Sequence, residues 1–267
     1  NVFVAARNLD YLNFTAYTEK EKYTFKFYIG KPSMYPEFRS KRFAELYGKI
    51  LDTFGIDLVH IQHTLDLSLE MYYQAELRKI PIITTLHDYY VICPSIKMIN
   101  CHEELCLGKP EKQCCHECLK NMGGFCESTS YIDIWRSENE KVLDKTSLLI
   151  TPSESAKQTI VSYYPKLENK IIVIPHGIKK MRNTAIGETT QADKFNVAFV
   201  GGISKQKGSY VSSQLIKTSS NDIEWYLFGV DGYNELTMLN KKNYTKTGTY
   251  ERDELPQLLS KYKIDVI

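Results

Sequence analysis

The sequence has no apolar run approaching the roughly 18–20 residues needed to cross a bilayer. Its first residues, Asn1 to Arg7, lack the basic segment, apolar core and small-residue cleavage site of a secretory leader. These absences lead us to expect a soluble, cytoplasmic protein. Neither sign of charge is in excess: 34 Lys and Arg stand against 32 Asp and Glu, a formal net charge of +2. That balance removes a global electrostatic case for nucleic acid or an anionic membrane, while leaving room for a local basic patch. Cysteine is missing from most of the chain. All seven cysteines fall between Cys93 and Cys126, whereas a disulfide-stapled fold ties them to its whole framework. Crowding into one segment points to a local site or to reduced thiols. Internal repeats and low-complexity tracts are missing too.

What remains is ordinary globular composition: 267 residues, 43% hydrophobic and 25% charged, enough for one large domain or two smaller ones. Apolar strand-like runs alternate with stretches of helical period, the pattern of an α/β fold with mostly parallel sheets. Val2–Ala5 and Tyr23–Ile29 read as strands. Phe43, Leu46, Tyr47, Ile50, Leu51 and Phe54 form one apolar stripe of a helix that Gly55 stops. Asp57–His63 is a strand ending in polar residues, Asp66 to Lys79 a helix, and Ile82–Asp88 the next strand. The cysteine-rich stretch is too irregular to be regular structure throughout. Ile132–Leu143 reads as a helix, Ser147–Thr151 as a strand, Ser153 as the cap of a further helix, and Lys170–Pro175 as the last strand of this half.

Residues 179–194 have little apolar periodicity and read as a linker between a domain at 1–178 and one at 195–267. The second series opens with the strand Phe195–Val200, then a helix through Val211, Leu215 and Ile216, the strand Ile223–Phe228, and a helix carrying Leu255, Leu258, Leu259 and Tyr262. Ile264–Ile267 begins another strand where the sequence stops, so a fragment is expected.

Ligands of open parallel sheets bind beyond the carboxyl ends of the strands. Polar residues gather at five such ends: His60 with His63, His87 with Asp88, Ser153, His176 with Gly177, and the loop opening Gly201-Gly202. In the last, the glycine pair leads through Ser204, Lys205 and Lys207 to Gly208 and a helix. Glycines let a phosphate approach the backbone, the helix start presents free N–H groups, and Lys207 adds charge against a diphosphate. The order Lys-Gly is not that of a P-loop, nor is a G-x-G-x-x-G present. A solvated turn with two surface lysines accounts for the same residues.

His87 is a candidate to contact a sugar or acceptor, with Asp88 to orient it; a structural histidine bonded to a backbone carbonyl is the alternative. His60 and His63 are an odd number of residues apart, so within a strand only one of them faces the site. His63, nearer the carboxyl end, is the candidate on the acceptor side. Among the cysteines, Cys101, Cys106, Cys115 and Cys118 could supply four thiolates to a structural zinc. The spacing C-x4-C-x7-C-C-x2-C matches no standard zinc module, and free thiols or adventitious disulfides are the other reading.

Four segments resemble, in order and spacing, the retaining GT-B glycosyltransferases of glycosyltransferase family 4, which includes mannosyl- and rhamnosyltransferases. They are Thr85-Leu86-His87-Asp88 with Cys93-Pro94, Thr151-Pro152-Ser153-Glu154-Ser155, Val173-Ile174-Pro175-His176-Gly177-Ile178, and Phe199-Val200-Gly201-Gly202 through Lys207-Gly208. The resemblance implies two facing Rossmann-like domains, a nucleotide-sugar donor held by the second, and a glycan or lipid-linked acceptor. It implies Lys207 and Gly208 on the donor diphosphate, His87 at the reacting sugar, and Thr247-Gly248-Thr249-Tyr250 at the nucleobase. Gly201, Gly202 and Ser204 complete the candidate donor loop, and Gly248 and Tyr250 the base contact. The implied setting is cell-surface polysaccharide synthesis in the cytoplasm, at the inner face of the membrane. No cofactor is required, zinc being a structural candidate alone.

The chain departs from the family at Gly202, where arginine is frequent, and at His176, where asparagine is usual. The family's first strand and glycine-rich acceptor loop are expected before residue 1 and its sugar-gripping E-x7-E segment after Ile267, so this stretch by itself is expected to be inactive. A nucleotide-sugar epimerase or phosphorylase, a non-catalytic zinc-bearing binding module built on residues 93–126, and a dehydrogenase are the competing readings. The last is disfavoured by the missing dinucleotide fingerprint.

Overall fold

The computed structural model describes residues 1–31, 38–102, 104–106, 111–121, 128–177, 194–232 and 243–267. The chain divides into two compact units, Asn1–Gly177 and Ile178–Ile267. Nearly all of the stretch read as a linker, together with Ile178 and Cys126, lies outside the described residues.

The first unit opens with β1 (Val2–Asn8), β2 (Tyr11–Tyr17) and β3 (Lys22–Tyr28), an antiparallel meander in the order β1-β2-β3. Here the structure departs from the expected parallel series. Tyr11–Tyr17 is a full strand that the sequence reading passed over, with Leu12 and Phe14 buried on its inner side. Phe14 stacks on Phe3, with ring centroids 5.4 Å apart, and leans on Phe54 at 4.6 Å. The meander thereby closes over the stripe of the following helix, α1 (Lys41–Thr53), whose Ser40 cap accepts from the Phe43 amide.

A four-stranded parallel sheet follows, in the order β4-β5-β6-β7. Its members are β4 (Val59–Ile61), β5 (Ile82–Thr85), β6 (Leu148–Thr151) and β7 (Ile171–Val173), connected through α2 (Glu70–Leu77), α3 (Lys112–Asn121), α4 (Tyr131–Asp144) and α5 (Glu154–Tyr163). Val59, Ile61, Ile82, Leu149 and Ile171 are buried, as near-continuous apolar runs in a parallel sheet require. The α2 helix is shorter than its apolar pattern because Asp66 and Lys79, the expected ends, take φ of 56° and 57°, left-handed values that helical residues do not adopt. Ser153 caps α5 as read, its hydroxyl oxygen accepting from the Ala156 amide at 3.2 Å.

The second unit contains β8 (Phe195–Val200), α6 (Ser209–Thr218), β9 (Ile223–Phe228), β10 (Tyr244–Gly248) and α7 (Leu255–Lys261). Its three strands form a parallel sheet in the order β10-β9-β8, and Val266 makes a single parallel bridge to Val197. Ile203, Ile216, Trp225 and Leu227 form its core. Among the described residues no helix is long and apolar enough to cross a membrane.

Core and surface positions separate cleanly under substitution. Leu149→Ala, at a fully buried position, should cost about 2–5 kcal/mol in chemical denaturation. Leu215→Ala, on the half-exposed side of α6, should change stability by no more than about 0.5 kcal/mol.

Candidate active site

Parallel pairing of β4 with β5 sets His60 beside Ile83 and Ile61 beside Thr84. Beyond that register, side chains from the two strand ends bond across at a constant offset. His60 Nε2 lies 2.8 Å from Thr85 Oγ1, Gln62 Oε1 2.6 Å from His87 Nε2, and His63 Nε2 2.9 Å from Asp88 Oδ2. Each pair is separated by 25 residues. Gln62 Nε2 also approaches His60 Nε2 at 3.0 Å, and the ring of His176, just after β7, stacks on His87 with centroids 5.8 Å apart and planes 7° from parallel. Gln62, His63, Thr85, His87 and Asp88 line a shallow concavity that opens to solvent.

The partner of Asp88 differs from the expectation. Its carboxylate accepts from His63, and its other oxygen accepts from the Tyr90 amide at 2.9 Å; the side chain bonded to His87 is Gln62. His87 and Asp88 both lie beyond the end of β5 at Thr85, and each finds its partner 25 positions back, in the segment that follows β4. Both nitrogens of His63 are committed, because Nδ1 accepts from the Leu65 amide at 2.9 Å while Nε2–H donates to Asp88. His63 lines the concavity and bonds Asp88, whereas His60, in β4, bonds Thr85 and Gln62.

The segment after His87 is held from behind. Three successive carbonyls each receive a side-chain donor: Tyr90 from Trp135 Nε1 at 2.8 Å, Val91 from the Tyr164 hydroxyl at 2.5 Å, and Ile92 from Arg136 Nε at 3.2 Å. Buried Trp135 meets the Tyr90 ring edge-on, and Tyr90 in turn packs on His63. Nothing in the local sequence marks this support, since its donors lie more than forty residues away.

The titration of the site follows from this packing. Burial lowers the His60 pKa below its ordinary value, and the nearby His87 acts in the same direction. For Asp88 burial works upward, but the His63 hydrogen bond, the Tyr90 amide and the charges of His63 and His87 bring the net value below 3.8.

In the second unit, β8 runs into Gly201 (φ 105°), the turn Lys205–Lys207, and Gly208 (φ 77°), from which α6 starts. The amides of Gly201 and Ile203 donate to the carbonyls of Phe228 and Val230. These two N–H groups tie β8 to the end of β9. Lys207 is exposed and, among the described residues, has no ion-pair partner. Gly202 and Ser204 are partly buried in the same loop.

Each of the three strands ends near a glycine of positive φ: Gly201, Gly229 (143°) and Gly248 (85°). Gly229 bridges Gly248, and a Cβ placed on it would fall 2.2 Å from the Gly201 carbonyl oxygen. The sequence reading named Gly201 and Gly248 and missed Gly229, although a glycine directly after the apolar run Ile223–Phe228 was its signal. Tyr250, partly buried, follows two residues after Gly248.

Among the described residues no disulfide joins the four candidate metal ligands Cys101, Cys106, Cys115 and Cys118, and Cys118 is hydrogen-bonded to Cys101. Among the described residues no three His, Cys, Asp or Glu side chains are grouped to hold a metal ion. Burial raises the pKa of Cys106, Cys115 and Cys118, the last to about 12, which keeps them as thiols and makes them poor nucleophiles.

Taken with the parallel sheets of both units, this architecture is of the GT-B class of glycosyltransferases. The profile of Glycosyltransferase Family 4 matches residues 13–182, more than half of the sequence, and the chain belongs to that family. Among solved structures, Anabaena Alr3699/HepE in complex with UDP is similar at a TM-score of 0.52 and 15% identity, covering 80% of this chain and 54% of that one. The same protein in complex with UDP and glucose gives 0.50 and 17%, with 84% and 56% covered. At such identities the likeness shows the fold, and the chain spans about half the length of these structures. No curated protein matches the sequence.

Two measurements follow. Gly229→Ala should lower stability by about 1–3 kcal/mol, because the φ belongs to glycine and the Cβ meets backbone; a thermal midpoint equal to that of the wild type would contradict the close approach. The ionised Asp88 stabilises the fold above its ordinary pKa, and that contribution is lost as pH falls through the lowered native value. The urea-midpoint difference between wild type and Asp88→Asn should hold steady from about pH 7 to 5 and shrink toward about pH 3. A difference independent of pH would contradict the pairing with His63.

Proposed function

We propose that the protein transfers a sugar from a nucleoside-diphosphate-sugar, with UDP the foremost nucleotide, to a glycan or lipid-linked acceptor, retaining the anomeric configuration. The observation that carries the reading is the second unit's strand-end site in a family 4 chain: Gly201, Gly229 and Gly248 leave backbone bare of side chains, and the exposed Lys207 follows in the loop that Gly201 opens. UDP is placed first because the similar HepE structures hold UDP. A mannosyl or rhamnosyl donor and a role in surface polysaccharide synthesis belong to the same reading.

Departure of the sugar leaves negative charge on the diphosphate. Lys207 and the N-terminal turn of α6 meet that charge, electrostatic help directed to where it develops. Gly208 supplies the left-handed residue that joins the lysine turn to α6, so the ammonium and the helix start stay adjacent. Gly202 and Ser204 complete this loop, and Gly248 with Tyr250 forms the base contact. In the first unit His87 meets the sugar or acceptor, and the His63–Asp88 pair stiffens the acceptor side. The scheme requires no metal, and Cys101, Cys106, Cys115 and Cys118 take no part in it.

Calorimetric titration of UDP tests the reading. Lys207→Ala should weaken affinity by about tenfold, the worth of one hydrogen bond to a charged group, while Lys217→Ala, in the last turn of α6, should leave it unchanged. Equal UDP affinity in wild type and Lys207→Ala would overturn the assignment. Product analysis then separates transfer to an acceptor from epimerisation of the donor.

A further inference from the structure

We propose that Gln62 is a positioning residue, whose amide bridges His60 and His87 and holds the two imidazoles in opposite tautomers. The inference rests on the proposed role of His87 and adds what that role requires of its neighbour. An amide is asymmetric: its oxygen only accepts and its nitrogen only donates. The 2.6 Å separation from His87 Nε2 suits N–H···O and is too short for N–H···N, while the 3.0 Å separation from His60 Nε2 suits a nitrogen pair. Oε1 therefore faces His87, whose Nε2 must carry a proton, and Nε2 of the amide faces His60, whose Nε2 must be bare.

The remaining contacts are compatible with this arrangement. Thr85 Oγ1 lies 2.8 Å from the same His60 nitrogen; a hydroxyl can donate or accept, so the amide N–H, which only donates, chooses the tautomer. A proton on His60 Nε2 would point at an amide N–H, so the neutral ring keeps its proton on Nδ1. His87 is left with an unprotonated Nδ1 that has no hydrogen-bond partner among the described residues, on an exposed side chain. Stacking against His176 restrains the swing of the ring. An imidazole fixed in this way offers a lone pair. It takes a hydroxyl of the sugar or acceptor, which has a proton to give, in preference to a phosphate oxygen, which has none near neutral pH.

Long-range proton–nitrogen spectra of the full chain labelled with 15N-histidine read the tautomers at about pH 8, where unperturbed imidazoles are neutral. The wild type should show Nε2–H on His87 and Nδ1–H on His60. Gln62→Leu should release His60 to a mixture of tautomers, and Gln62→Glu, which keeps the acceptor and removes the donor, should release His60 while His87 keeps its Nε2 proton. A wild-type His60 protonated on Nε2, or a His60 pattern unchanged by Gln62→Leu, would overturn the proposal. In turnover, Gln62→Leu should reduce kcat about tenfold with donor KM little changed, the loss of one ordinary hydrogen bond at the reacting end; an unaltered kcat would also overturn it. A wild type that binds no nucleotide-sugar at all defeats the proposed function instead, and the spectra then decide the tautomers by themselves.

Discussion

The site in the first unit depends on one register. Parallel pairing of β4 with β5 brings His60 to Thr85, Gln62 to His87 and His63 to Asp88. A slip of one residue would turn His60 or Thr85 to the opposite face and part the side chains that follow them. The register is fixed by what lies beneath: Val59, Ile61 and Ile82 are buried and sit on the same two strands. Apolar burial at the strand centres thus sets the geometry of polar side chains at the strand ends. Trp135, Arg136 and Tyr164 then pin the chain as it leaves β5.

The second unit uses the same logic with glycine in place of imidazole. Its parallel strands end in backbone close enough that Gly229 admits no side chain beside Gly201. The amides of Gly201 and Ile203 join β8 to β9, and the proposed anion donors are the lysine side chain and the start of α6. Family membership rests on residues 13–182, most of which belong to the first unit. The donor proposal joins that membership to the glycine-bounded strand ends of the second unit.

Several parts of this fold were legible in the sequence. Phe195–Val200 and Ile223–Phe228 are strands with those same bounds, because both are short apolar runs closed by glycine or polar residues. The α1 stripe and the Ser153 cap are local signals and were equally plain. The meander was obscure: in Tyr11–Tyr17 tyrosine, asparagine and threonine dilute the alternation, and antiparallel pairing with β1 and β3 is a non-local fact. The ends of α2 were overruled by the left-handed backbone of Asp66 and Lys79. In the site, residue types were readable but partners were not. His87 and Asp88 invite pairing because they are neighbours, yet each is bonded 25 positions away. Gln62 reads as a solvated strand end until the register shows an imidazole on either side of it.

The account makes one demand above others, that a nucleoside diphosphate settles where β8, β9 and β10 end. Titrating UDP into the 15N-labelled chain while following backbone amides is the direct measurement. The account predicts shifts at Gly201, Gly229, Gly248 and the first turn of α6, with the meander of β1 to β3 undisturbed. Saturable binding that moves other amides and leaves those three glycines in place would contradict it.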